Sequence, residues 1–191
     1  MDVGLARWDK AVRDLRQEAA EAWENPLDEE IIELAVALRL LGFPTIGSCA
    51  GHPVVEGKEL CAPFVGMRWR MASRFERDDD EVNKRWYEPD TRSKRERHYL
   101  ALLAWRRYRP LAWRLRELLA LAAPLDGRPC SLHVYAGWWG ITLGPKESEP
   151  LETLPAEEAT LRIAVYRKEM LAFGRFLHHR VLSELESRSA D

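Results

Sequence analysis

The segment from Asp28 to Pro44, DEEIIELAVALRLLGFP, constrains everything around it. Between Ile31 and Phe43 it is apolar on nearly every side of a helical projection, broken only by Glu33 and Arg39. A helix of that kind must be covered from more than one direction, so it belongs at the centre of a core. Its ends are marked in the residues: Asp28 stands where an N-cap belongs, Glu29 and Glu30 oppose the helix dipole, and Gly42 supplies the C-terminal stop. It falls far short of the ~20 apolar residues a membrane-spanning helix needs, so no membrane association is expected.

The flanking sequence supplies the covering layers. Leu5, Trp8, Val12, Leu15, Ala19 and Ala22 recur at alternating spacings of three and four, predicting an amphipathic helix over 4–24 that Pro26 ends. After Phe43-Pro44 the pattern changes to β-prone pieces: Thr45 to Ser48, a Gly/Pro-containing loop, and Phe64 to Met71, where Val65, Met67 and Trp69 alternate. Residues 73–91 are highly charged and without period, which predicts a loop or insertion. Arg92 to Ala122 is helical in pattern, and Pro110 within it should divide it in two. Ser131 to Tyr135 and Trp139 to Leu143 flank Ala136-Gly137-Trp138 as a hairpin, with the adjacent Trp138 and Trp139 facing opposite ways. Residues 145–155 read as a linker, and Pro155 opens a long helix to about Glu186. Its stripe of Ile163, Tyr166, Met170, Phe173, Leu177, Val181 and Leu185 suits packing on the domain, with a homodimer through this C-terminal helix as the alternative. The predicted architecture is a single α+β domain over 1–191: a small mixed or antiparallel sheet of about four strands covered by four to six helices.

Composition removes several function classes. Charged residues form 31% of the 191, yet the formal net charge is only -2, so polyanion binding would need a local patch. The start Met1-Asp2-Val3-Gly4 has no basic and apolar run of a secretion signal, and three cysteines cannot all pair, which together predict a cytoplasmic location with reduced thiols. Gln17, Asn25 and Asn83 are the only side-chain amides, a depletion that accompanies thermostable proteins. No G-x-S-x-G, Walker or dinucleotide-type glycine pattern occurs.

One segment concentrates chemistry. Thr45-Ile46-Gly47-Ser48-Cys49-Ala50-Gly51-His52-Pro53 places a strand before a tight loop with a hydroxyl, a thiol, a glycine and an imidazole. Gly51 permits positive φ, so successive amides can converge on an anion, with Ser48 and Thr45 adding hydroxyl bonds. Cys49 is the candidate nucleophile and His52 its base. Arg68, Arg107 and His133 are candidate walls of the same site, whose expected ligand is small and anionic or nucleotide-like. The plainer alternative makes Cys49 a small buried hydrophobe and Gly51 a turn residue.

The order helix, Gly42-Phe43-Pro44-Thr45, Ser48-Cys49-Ala50-Gly51-His52 and Pro63-Phe64-Val65-Gly66-Met67 resembles small uncharacterised bacterial and phage proteins with a T-x-x-S-C-x-G-H loop before an apolar strand. More distantly, Ser48-Cys49-Ala50-Gly51 is similar to the S-S-C-S-G-R loop of the wybutosine-synthesising tRNA methyltransferase family, with Gly47 replacing the first Ser and His52 the Arg. The second resemblance implies a nucleotide-derived ligand and RNA modification; the first implies a phage or mobile-element interaction protein.

Cys49-x-x-His52 and Cys130-x-x-His133, with Cys61, are zinc-type donors, but the second pair enters a predicted strand, where residues three apart face opposite sides and cannot chelate together without a bulge or unless Cys130 lies outside the strand; no metal site is assigned and the cofactor is left open. The alternative function uses Arg92 to Arg116, where nine basic residues stand against one acid with aromatics between them. In that reading Arg95, Arg106, Arg109, Trp113 and Arg116 would grip RNA or DNA, or a protein partner, without catalysis.

Overall fold

In the computed structural model, residues 3–22, 28–55, 59–67, 94–122, 130–137, 140–146 and 151–187 are described. Their elements in chain order are α1 (Val3–Ala22), α2 (Glu29–Leu40), β1 (Thr45–Cys49), β2 (His52–Val55), β3 (Glu59–Cys61), β4 (Phe64–Met67), α3 (Lys94–Leu121), β5 (Leu132–Gly137), β6 (Gly140–Pro145), a short 3-10 turn (Leu151–Thr153) and α4 (Ala156–Ser187). The fold is α+β: four helices and one four-stranded antiparallel sheet in the order β1-β4-β6-β5, with β2 and β3 forming a separate two-stranded ribbon.

The central helix behaves as its sequence dictates. α2 buries Ile31, Ile32, Leu34, Ala35, Val36, Ala37 and Leu38, and each buried Ile or Leu contributes about 1.5–3 kcal/mol of transfer free energy. Gly42, at φ +86, turns the chain out of the helix, and Phe43 N–H bonds back to the Leu38 carbonyl. α4 lies against α2 with the stripe Ile163, Tyr166, Met170, Phe173, Leu177, Val181 and Leu185 buried inside the chain. That stripe is therefore packed within the chain. Gly174 makes the contact close: a Cβ there would sit 3.3 Å from both the Leu34 Cβ and its backbone N.

The sheet presents Val65, Met67, Leu132, Val134, Ile141 and Leu143 to this core, alternating as half-buried antiparallel strands do. Arg116 of α3 donates to the Val134 carbonyl at 3.0 Å, which satisfies an acceptor on the outer edge strand β5. Glu169, 7% exposed on α4, accepts the Ser131 amide through both carboxylate oxygens and also bonds the Ser131 hydroxyl, fixing the start of β5 to the helix.

Two expectations change. Pro110 does not divide the helix, because α3 continues through it. Pro110 and Arg106, the residue whose carbonyl loses its partner, are both exposed, so water can take the orphaned acceptor. Residues 49–63 are not simply a loop: β2 and β3 pair, with His52 opposite Cys61 and Val55 opposite Glu59. His178 of α4 stacks on Trp8 of α1 at 3.9 Å and bonds Glu33 of α2 at 2.7 Å, joining three helices. Residues 73–91 and the Trp138-Trp139 pair lie outside the described residues.

Candidate functional site

The site forms where three chain segments meet. β1 ends at Cys49, Gly51 turns the chain at φ +89, and β2 starts at His52. A side chain at position 51 has no room, since a Cβ there would lie 2.8 Å from Pro63 Cδ and 3.0 Å from its backbone N. The third segment is Asp28, directly before α2. It has the backbone of an N-cap, yet its side chain makes no capping bond. Its Oδ2 instead accepts the Ala50 amide at 2.8 Å and lies 3.2 Å from His52 Nε2. The expected capping role of the Asp28 carboxylate is thus replaced by a bond to the loop.

One donor atom from each of Asp28, Cys49 and His52 falls within 4.8 Å of the others. The Cys61 sulfur stands 3.6 Å from that of Cys49, brought there by the pairing of β3 with β2. The Gly51 amide donates to Cys49 Sγ at 3.3 Å. The Cys49 thiol is lowered from 9.0 to about 6, first by the hydrogen bond from Cys61, then by the Gly51 amide and the nearby His52. Burial and the Asp28 charge oppose this. The cluster is open to solvent, with the His52 side chain 45% and that of Asp28 30% exposed.

The loop amides do converge on anions, but the anions are the protein's own. Ala50 N–H serves the Asp28 carboxylate and Gly51 N–H the Cys49 sulfur, so the Gly51 amide is not free to hold a ligand anion. Ser48 is turned from the cluster as well: it pairs with Val65, whose side chain is in the core, and its own buried hydroxyl has no hydrogen-bond partner among the described residues. Thr45, 7% exposed, is taken up by Arg39, which bonds both its hydroxyl at 2.5 Å and its carbonyl at 3.0 Å while pairing with Glu18 at 2.7 Å. Neither hydroxyl joins Cys49 as the sequence suggested. His52 likewise bonds Asp28, while the Cys49 sulfur meets the Gly51 amide and the Cys61 sulfur.

The remaining candidates lie elsewhere. His133 is on β5, at the opposite sheet edge from β1, three strand spacings or roughly 14 Å away. It borders a separate open groove of ≈ 480 Å³ with Arg116, Tyr135 and Thr142, and its pKa is lowered by burial and by Arg116 and Lys146. Cys130, just before β5, is an exposed residue whose thiol is pushed up, first by burial of the sulfur and further by the Glu169 charge, against the Leu132 amide. The two Cys-x-x-His pairs therefore do not share a site. Arg68 and the side chains of Arg95 and Arg107 lie outside the described residues.

Sequence reasoning missed Asp28 as a member of the cluster and named Cys61 only among the zinc-type donors. Asp28 has the residue type and place of an ordinary helix cap, and Cys61 joins only through the register of a ribbon containing Pro53. These observations define the molecule by class: an α+β protein with a thiol, imidazole and carboxylate cluster beside the first strand of its sheet. Comparison with protein-family models, curated proteins and solved structures finds no match to this chain. Among the described residues no helix is long and apolar enough to cross a membrane.

Proposed function

We propose that the Thr45 to His52 loop, completed by Asp28 and Cys61, is a small-molecule site whose reactive group is the Cys49 thiolate. The observation that carries this reading is the convergence of the Asp28, Cys49 and His52 donors within 4.8 Å, with the Cys61 sulfur 3.6 Å from Cys49. A sulfur held as thiolate by hydrogen bonds and a neighbouring imidazole is a nucleophile and a soft ligand near neutral pH. The wybutosine-type resemblance of the loop favours a nucleotide-derived ligand and a place in RNA modification. Such a ligand would meet Cys49 through an electrophilic or soft atom, because the adjacent amides are already engaged. In chelator-treated, reduced protein, iodoacetamide should alkylate Cys49 faster than Cys61 and Cys130, with a rate that is half-maximal near pH 6. Equal rates at the three cysteines would remove the proposal.

A second reading is favoured by the outer face of α3. Arg106, Arg109 and Trp113 are spaced three and four apart, all are exposed, and Trp113 is 50% accessible. Two arginines beside an exposed indole suit phosphate contact with base stacking. Arg116 contributes less, since its guanidinium is turned to the Val134 carbonyl. Fluorescence anisotropy with labelled single-stranded RNA should show binding that weakens steeply with salt and in Arg106→Glu/Arg109→Glu. No binding at low salt would dismiss it.

A further inference from the structure

We infer that Asp28, Cys49 and His52 bind a divalent, thiophilic metal ion of the zinc type, with a fourth position left for water or a small molecule. This deepens the reading above by naming what the Cys49 sulfur holds, and it rests on that sulfur being the centre of the site.

Four observations lead there. First, the donor set is mixed in the manner zinc accepts: a sulfur, an imidazole nitrogen and a carboxylate oxygen, all within 4.8 Å. Zinc bonds of about 2.0–2.3 Å put tetrahedral neighbours about 3.3–3.6 Å apart, so closure on one ion needs side-chain shifts of about 1 Å or less. The Asp28 Oδ2 to His52 Nε2 separation, 3.2 Å, is already close to that spacing.

Second, the charges suit a cation. The amides of Ala50 and Gly51 donate to the carboxylate and to the sulfur. A carboxylate and a sulfur beside a half-exposed imidazole form a centre that attracts a divalent cation. Third, those same amide bonds hold two of the donors in place, as outer-shell bonds do around metal ligands. Fourth, the soft sulfur and imidazole discriminate against magnesium and calcium, which take oxygen donors.

The three donors come from three places in the chain: the residue before α2, the end of β1 and the start of β2. An ion would therefore tie the ribbon and the sheet edge to the central helix. Cys61 lies beside Cys49 but outside the mutually close trio. It is therefore not counted among the three donors. Three protein donors with a vacant fourth position are the arrangement of zinc centres that act on bound water or substrate.

The test uses the full-length, reduced protein stripped with EDTA and titrated with Zn²⁺ against a chromophoric chelator. Native mass spectrometry counts bound ions, and Co²⁺ replaces zinc for absorption spectroscopy. One zinc per chain is expected, together with a thiolate-to-cobalt charge-transfer band that Cys49→Ser abolishes and Cys61→Ser retains. Asp28→Asn and His52→Gln, verified as folded by circular dichroism, should each lose at least about tenfold in zinc affinity. Absence of stoichiometric zinc, survival of the band in Cys49→Ser, or its loss in Cys61→Ser would overturn the assignment. Zinc failing while Cys49 is still alkylated fastest would end the metal inference alone. Zinc failing with Cys49 no faster than Cys61 and Cys130 would end both.

Discussion

Gly51 shows how closely the chain is fitted around the cluster. Its φ of +89 and the 2.8 Å approach a Cβ would make to Pro63 leave no tolerance for a side chain. Gly51→Ala should cost about 1–3 kcal/mol in chemical denaturation and slow alkylation of Cys49, since the Gly51 amide would be displaced from the sulfur. Cys49 itself makes stability depend on pH. Its thiol is lowered in the fold from 9.0 to about 6, so the folded state favours the thiolate. Relative to Cys49→Ser in metal-free protein, that contribution should be complete above pH 9 and disappear as pH falls through about 6. A stability difference independent of pH would show that the sulfur stays protonated. Much of this centre was legible in the sequence. Cys49, Gly51 and His52 adjoin along the chain and suggest a reactive turn by residue type alone. Asp28 and Cys61 were not legible, because the first lies 21 residues upstream of Cys49 in the guise of a helix cap, and the second depends on strand register.

Helix α2 is gripped by α4 through Gly174 and by α1 and α4 through His178. The Gly174 contact is against Leu34 backbone as well as side chain, so it cannot be relieved by a rotamer change. Gly174→Val should therefore destabilise by about 1–3 kcal/mol, as other overpacked cores do, measured by urea unfolding; an unchanged midpoint would mean that the helices can part. At the other end of the sheet, Glu169→Ala should cost about 1–3 kcal/mol, because the Ser131 amide loses its acceptor. Amide exchange at the start of β5 should rise more than in α2, and uniform exchange would contradict the local anchoring role. The helices were readable from periodicity, including the apolar character of α2. The course of α3 was not, since the tolerance of Pro110 depends on which face meets water. Short ribbon strands such as β2 and β3 carry too few residues to show a period, and Pro53 further conceals them.

Across the whole molecule, the central helix requires cover, the cover makes an α+β fold, and the junction of helix, sheet edge and ribbon makes the cluster. The sheet separates two regions that sequence reasoning had joined: Cys49 and His52 lie by β1, whereas His133 lies on β5 beside the Arg116 groove. Residues that look like one set of ligands along a chain thus become two sites once strand order is known. The measurement that decides most directly is mass-spectrometric alkylation of the three cysteines at neutral pH, in metal-free protein and again with equimolar zinc. Convergence of Asp28, Cys49 and His52 predicts fastest labelling at Cys49, suppressed by zinc while Cys130 is unaffected. Labelling at Cys49 no faster than at Cys130, and indifferent to zinc, would contradict it.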